Sequence, residues 1–179
     1  MAALHRNRAW YTACVETVPA PVMMDEMSER RSGRGHETLP HTADVGLRGW
    51  GPTMVIAFEE SAIALAELTS ETVAASGKVK AMSERIERVE LVAADLVGLA
   101  YAWLNELVGL IDLHGALRGG RVSAVVRSDD GWILRGSAGF VPFDGVAVRR
   151  RADVKSATYH GLAVDGANGA WTVTAYLDV

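Results

Sequence analysis

Residues 96–111 read Leu96-Val97-Gly98-Leu99-Ala100-Tyr101-Ala102-Trp103-Leu104-Asn105-Glu106-Leu107-Val108-Gly109-Leu110-Ile111, and this stretch decides how the chain folds. Its apolar residues recur at helical spacing and cover more than one face of the helix that they predict. Over about residues 94–112, only Asp95, Glu106 and Asp112 are charged. A helix with so wide an apolar surface is buried on most sides, so the rest of the chain must supply the layers that cover it.

The segment that follows this helix carries two predicted β-hairpins. Residues 122–127 and 132–138 flank an Asp-Asp-Gly turn, and residues 154–164 and 170–179 flank a second, glycine-containing turn. Such turns between alternating apolar and polar residues indicate antiparallel strand pairs. Residues 115–120 resemble a phosphate-binding loop only superficially, and we predict a turn there.

The segment before the helix supplies further strands and a second helix. Residues 36–39, 45–50 and 85–92 are predicted to be extended. A helix is predicted to begin after Thr53, whose hydroxyl is suited to cap the first turn. Its apolar face carries Met54, Phe58, Ala62, Leu65 and Thr69. The acidic residues of the same helix are predicted to lie on other faces, namely Glu59, Glu60 and Glu67.

This order of elements places the chain in the α+β class. We predict two helices packed on a largely antiparallel β-sheet, in a single compact domain that spans residues 35–179. Residues 1–34 lack periodicity and contain a Pro-Ala-Pro break, so we predict a disordered N-terminal extension there. A start codon assigned too early would also explain this segment, with Met27 as the true start.

Composition and charge exclude several classes of protein. The net charge is −4 and the isoelectric point is about 5.7, so the basic surface of a nucleic-acid-binding protein is not expected. Cys14 is the sole cysteine, which excludes an internal disulfide framework and a cysteine-based zinc site. No uninterrupted apolar run reaches the roughly 20 residues of a membrane span. We therefore expect a cytoplasmic protein with no membrane association.

Two oxygen-rich segments at opposite ends of the predicted domain suggest a metal site. The first is His41-Thr42-Ala43-Asp44-Val45-Gly46, a polar stretch between apolar runs, and the second is Asp178-Val179, where a side-chain carboxylate adjoins the terminal one. Carboxylate and carbonyl oxygens are the ligands that Ca²⁺ and Mg²⁺ prefer. If the fold brings the segments together, Asp44, Asp178 and Val179 are the expected ligands.

Each candidate residue also has a structural explanation. Asp44 and His41 could satisfy the backbone of a turn, and Asp178 could be a solvated strand end. Lys155 could lie on the surface or meet an anion near the carboxylates, and His160 could be an ordinary sheet residue. The residues alone leave these alternatives open.

The sequence carries none of the common catalytic signatures. It lacks a Gly-x-Ser-x-Gly elbow, a Walker phosphate loop and a His-Glu-x-x-His pair. We therefore predict that the protein is not an enzyme.

Four motifs in a fixed order resemble the archease family. They are His41–Gly46 followed by a helix with Ala57-Phe58-Glu59, then Trp103-Leu104-Asn105-Glu106-Leu107, then Val154-Lys155-Ser156-Ala157-Thr158-Tyr159-His160-Gly161-Leu162, and the ending Trp171 to Val179. The resemblance runs from about residue 36 to the last residue. The first 34 residues have no counterpart in it.

The resemblance implies a small α+β protein that activates a partner. Archeases assist the RtcB-type RNA ligase in tRNA splicing and RNA repair, by promoting guanylylation of the ligase and its multiple turnover. The family's bound divalent cation would sit on Asp44, Asp178 and Val179, with calcium first and magnesium or manganese as alternatives. Lys155 and His41 would contact the partner or its nucleotide, and RNA contacts would belong to the ligase.

Two other functions stay open at this point. One is a chaperone-like modulator of RNA or DNA methyltransferases, which is also a family association. The other is a free-standing metal-dependent hydrolase that uses Asp44, Asp178 and His160.

Overall fold

The computed structural model describes residues 33–39, 45–72, 84–144, 147–167 and 169–179. Within these ranges lie two helices, α1 (Met54–Thr69) and α2 (Leu96–His114). The strands of the same ranges are β1 (Gly35–Leu39), β2 (Val45–Gly51), β3 (Ser70–Thr72), β4 (Arg85–Ala93), β5 (Ala116–Ser128), β6 (Gly131–Val141), β7 (Val148–Arg150), β8 (Ser156–Ala167) and β9 (Ala170–Asp178). Of the predicted extension, residues 1–32 lie outside the described ranges.

The strands pair in three antiparallel sheets within the described part of the chain. The largest has the order β1-β2-β9-β8, the second has the order β4-β6-β5, and β3 pairs with β7. The predicted α+β class with two helices and antiparallel strands is confirmed. The short strands β3 and β7 were not predicted, since three residues are too few to show a period.

Helix α2 forms the centre of the core, as its sequence predicts. It packs against β8 of the four-stranded sheet and against β4 and β6 of the three-stranded sheet. Because two sheets cover it, its buried residues lie on more than one face. They are Leu99, Ala100, Trp103, Leu104, Leu107, Val108 and Ile111.

Helix α2 also has the length and apolar composition of a membrane-spanning helix. Glu106 and Asp112 interrupt its apolar sequence, so it contains no uninterrupted apolar run of that length. Length and composition are weak indicators, since the core helix of a folded protein passes the same test. Here Trp103, Leu104 and Leu107 are completely buried in the core.

Side-chain caps fix the beginnings of both helices. The Thr53 hydroxyl accepts a hydrogen bond from the Ile56 amide at 3.3 Å, as predicted. The Asp95 carboxylate accepts one from the Gly98 amide at 2.7 Å. Each cap satisfies an amide that has no partner within its own helix. The second cap explains why α2 begins two residues later than predicted.

The prediction that Glu59 and Glu60 lie away from the buried face of α1 is wrong. Glu59 is only 8% exposed and Glu60 only 3% exposed, because α1 packs against β2 on one side and β5 on the other. The approach to β2 is close: a Cβ atom on Gly49 would lie 2.3 Å from the Ser61 nitrogen.

Basic partners compensate these two buried carboxylates. The Arg34 Nε donates a hydrogen bond to one carboxylate oxygen of Glu60 at 2.6 Å. The other oxygen of this carboxylate lies 2.6 Å from the His36 Nδ1 atom. The other ring nitrogen of His36 lies 3.3 Å from a Glu67 carboxylate oxygen. Glu59 accepts a hydrogen bond from the Val122 amide of β5 at 3.0 Å and lies 3.7 Å from a guanidinium nitrogen of Arg34. Buried charges are tolerated when they are paired in this way.

The contacts of His36 with Glu60 and Glu67 make the stability of the fold depend on pH. Burial alone lowers the pKa of His36, but hydrogen bonds to Glu60 and Glu67 outweigh burial, so the pKa is raised above 6.5. A raised pKa in the folded state stabilises the protein below the unfolded pKa, and this stabilisation is lost as the pH rises through the folded pKa. The contribution of His36 to the free energy of unfolding should therefore be larger at about pH 6 than at about pH 8.5.

Urea denaturation of the wild type and of His36→Gln at both pH values measures this contribution. The variant cannot take up the proton, so its difference from the wild type should shrink as the pH rises. A difference that stays constant with pH would contradict the assignment.

The predicted turn at residues 115–120 is wrong for most of its length. Only Gly115 ends helix α2, with a φ of 107°, and β5 begins at the next residue. Two of the glycines that suggested a turn are instead required within strand β5. Gly119, with a φ of 134°, lies where the pairing with β6 shifts register. A Cβ atom on Gly120 would lie 2.6 Å from the Trp103 ring.

Candidate functional site

Asp178, Val179 and Lys155 lie together at one end of the four-stranded sheet. Ser156 of β8 pairs with Asp178 of β9. The Lys155 amide donates to the Asp178 main-chain oxygen at 2.8 Å, and the Lys155 Nζ donates to a main-chain oxygen of Val179 at 3.2 Å. Two predicted metal ligands and a predicted partner contact are therefore neighbours.

The alternation of β9 presents Asp178 to solvent, as predicted. Val173, Ala175 and Leu177 are completely buried, and Asp178 is exposed. Its carboxylate has no hydrogen bond or ion pair with any described residue. Val179 is 41% exposed. Both residues thus offer oxygen atoms that a ligand from solvent can reach.

The other two predicted site residues, Asp44 and His41, lie outside the described residues. Val45 follows Asp44 in the chain, and it pairs with Leu177, which precedes Asp178. The first described residue after the polar stretch and the last residues of β9 are therefore at the same end of the sheet. Within the described ranges, no group of three or more His, Cys, Asp or Glu residues could hold a metal ion. A cation at Asp178 and Val179 thus needs a further oxygen donor.

Asn105 positions this end of the sheet, whereas the sequence pointed to it only as part of the Trp103–Leu107 motif and as a polar residue of an apolar helix that could cap or anchor a loop. Its Oδ1 atom accepts from the Ala157 amide at 3.0 Å, and its Nδ2 atom donates to the Ala157 oxygen at 3.3 Å. The same nitrogen donates to the Tyr101 oxygen at 3.0 Å. The side-chain amide thus pairs with β8 as a neighbouring strand would, two residues from Lys155.

His160 is not part of this group. It is exposed in β8, and its ring centroid is 6.4 Å from that of Tyr176. Tyr176 and Asp178 lie on the same face of β9, and Asp178 pairs with Ser156 of β8. Among the described residues, no hydrogen bond or ion pair joins the Asp178 and the His160 of the hydrolase hypothesis.

A cleft of about 670 Å³ lies elsewhere, against the three-stranded sheet. Arg88, Glu90, Arg121 and Arg135 contribute to its lining. Of the predicted site residues that the structure describes, Lys155, Asp178 and Val179 do not line it.

Comparison with known proteins agrees with this fold. The archease protein family (MTH1598/TM1083) matches residues 36–179. An archease of Pyrococcus furiosus is 32% identical over 148 residues, which cover 82% of this chain and 99% of the relative. An archease of Methanopyrus kandleri is 29% identical over 143 residues, covering 80% and 98%.

A solved structure shows the same architecture. The solution structure of protein 1598 of Methanobacterium thermoautotrophicum superposes with a TM-score of 0.66 at 28% identity. The superposition covers 81% of this chain and 99% of that protein. With the family match over residues 36–179, these similarities establish that the chain belongs to the archease family.

Proposed function

We propose that this protein is an accessory activator of an RtcB-type RNA ligase in the cytoplasm. In this proposal it promotes guanylylation and multiple turnover of the ligase without catalysing a reaction itself. The observation that carries the proposal is the exposed group of Asp178, Val179 and Lys155 at the sheet end where β2 begins. Family membership supports the choice of partner, because the resemblance that implies this role includes these residues.

The proposed cation would be held by oxygens of Asp44, Asp178 and Val179. The donor set is compatible with a hard cation, since the Asp178 carboxylate is free of described partners and only oxygen donors are involved. Calcium is the first choice, with magnesium or manganese as alternatives. A cation bound there would neutralise negative charge on the phosphates of a nucleotide.

Lys155 has a complementary task in this proposal. Its ammonium group is exposed and is directed to the Val179 oxygen by a hydrogen bond of 3.2 Å. A flexible point charge at this position could exchange that oxygen for a phosphate oxygen when the ligase and its nucleotide approach. His41 is proposed as a second contact of the same kind.

Single-turnover guanylylation of the cognate ligase, with and without this protein, tests the proposal. Wild type should accelerate the reaction, and Asp44→Ala should reduce the rate to that of the ligase alone. Asp165→Ala is a matched control, because Asp165 is an exposed aspartate of β8 that pairs with Thr172, far from Asp178. This control should accelerate guanylylation as the wild type does.

Calorimetric titration with Ca²⁺ gives a second readout that does not depend on the ligase. Wild type and Asp165→Ala should bind the ion, and Asp44→Ala should not. Full acceleration by Asp44→Ala would disprove the role of the site. If wild type does not accelerate the ligase, the methyltransferase alternative should be tested through the solubility and oligomeric state of that enzyme.

A further inference from the structure

Strand β8 is interrupted beside the proposed site. Its pairing with β9 is regular to Thr158 and resumes at Ala163, so residues 159–162 are outside the ladder. Gly161 has a φ of 64°, and a Cβ atom there would lie 2.6 Å from the Tyr176 ring. Only glycine fits this position. The interruption is thus specified by the sequence, and such bulges often redirect side chains near functional sites.

The side chain that the interruption presents is Tyr159. It is 61% exposed, and its ring stacks on Tyr101 of α2 with centroids 4.1 Å apart and an interplanar angle of 12°. The stack holds an exposed aromatic ring in one orientation. An ordered ring loses little conformational entropy when a partner covers it.

Tyr159 belongs to the same edge as the proposed site. It lies four residues after Lys155 in the chain, which is about 13 Å in an extended strand. Between them, the Asn105 amide binds both backbone groups of Ala157 and ties β8 to α2. One partner surface of ordinary size can cover both residues, since it spans far more than this distance.

The features of this edge favour a protein as its occupant. Small-molecule sites enclose most of their ligand, whereas Tyr159 is exposed and Tyr101 covers one face of its ring. Addition of a partner strand at Ala157 is blocked, because Asn105 already uses the amide and carbonyl there. Recognition through the side chain remains, and tyrosine is enriched among the residues that dominate binding energy at protein interfaces.

We infer that Tyr159 is a docking residue of this protein, and that an apolar surface of the RNA ligase covers its free ring face next to the surface that Lys155 engages. This inference rests on the proposed function. In this inference, Tyr159 contributes to the affinity for the ligase. The neighbouring oxygen ligands and Lys155 act on the rate of guanylylation.

The dissociation constant of the complex with the ligase tests the inference. Tyr159→Ser should raise it about tenfold or more, whereas Tyr159→Phe, which keeps the ring and the stack, should bind within about threefold of the wild type. Ile86→Ser is a matched control for the loss of an exposed apolar side chain, because Ile86 is 59% exposed on β4 of the three-stranded sheet, away from β8. It should bind as the wild type does. Ca²⁺ titration and the urea midpoint should remain unchanged in Tyr159→Phe.

A footprint on the wild-type complex removes the risk that Tyr159→Ser disturbs the fold. Tyr159 should be protected from hydroxyl-radical oxidation when the ligase is bound. The inference would be overturned if Tyr159 is not protected in the complex or if Tyr159→Ser binds the ligase with wild-type affinity. The proposed function would still stand in that case, provided that the wild-type protein accelerates guanylylation. A wild type that neither binds nor accelerates the ligase would overturn both.

Discussion

Trp103→Ala is expected to lower the free energy of unfolding by about 3–5 kcal/mol. Trp103 is completely buried in the core. Its Nε1 atom donates to the Phe58 oxygen of α1 at 3.1 Å, and its ring lies against Gly120 of β5. One side chain therefore joins α2 to α1 and to the three-stranded sheet. Alanine would leave a cavity at the junction, and the rigid neighbours could close it only in part.

Urea denaturation monitored by circular dichroism measures this loss. Trp103→Phe is the informative companion, because it keeps an apolar ring and removes the indole donor. Its loss should be smaller, since the Phe58 oxygen also accepts from the Ser61 hydroxyl at 2.8 Å. A loss below about 1.5 kcal/mol for Trp103→Ala would be well under the usual range for a buried tryptophan and would contradict its central place in the core.

Asn105→Leu is expected to lower the free energy of unfolding by about 2–4 kcal/mol, because it leaves two partly buried backbone groups of Ala157 without partners. Leucine has nearly the same shape, so the loss reports the hydrogen bonds more than the packing. Water would have to replace the Asn105 side chain as the partner of the Ala157 amide, which bonds it at 3.0 Å, and of the Ala157 carbonyl, which bonds it at 3.3 Å. The start of β8 would loosen, and Lys155 would lose its fixed position beside Val179.

Two measurements separate this effect from a general loss of stability. Amide hydrogen exchange at Ala157 should accelerate more than exchange in the β5–β6 hairpin, because the hydrogen bonds of Asn105 to described residues go to Ala157 and Tyr101. Glu106→Gln is the control, since Glu106 is the exposed neighbour on the same helix and should change stability by less than about 0.5 kcal/mol. Unchanged protection of Ala157 in Asn105→Leu would show that the side-chain amide does not hold the strand.

Local patterns predicted the elements of this fold well wherever short-range physics decides them. The cap at Thr53, the hairpin turn before Gly131 and the alternation of β9 each depend on a few adjacent residues. Sequence also predicted that α2 is central, because only burial can accommodate so wide an apolar surface. None of these features requires knowledge of which elements become neighbours.

The misassignments occurred where one element meets another. Glu59 and Glu60 resemble surface residues of an amphipathic helix, yet they are buried because two sheets enclose α1 and basic groups compensate their charge. Gly119 and Gly120 resemble a turn, yet they lie in a strand. At Gly120 the reason is close packing under the Trp103 ring. A pattern of single residues carries no information about these partners.

By itself, the sequence determined the class of the fold, the cap at Thr53, the hairpins, the solvent-facing side of β9 and the residues that resemble the archease family. Only the tertiary structure decided that Lys155, Asp178 and Val179 are neighbours and that Asn105 ties their sheet end to α2. It also decided that Tyr159 is stacked and exposed beside them. The physical reason is that these contacts join residues far apart in the chain, so they depend on strand register and helix packing, which no local propensity encodes.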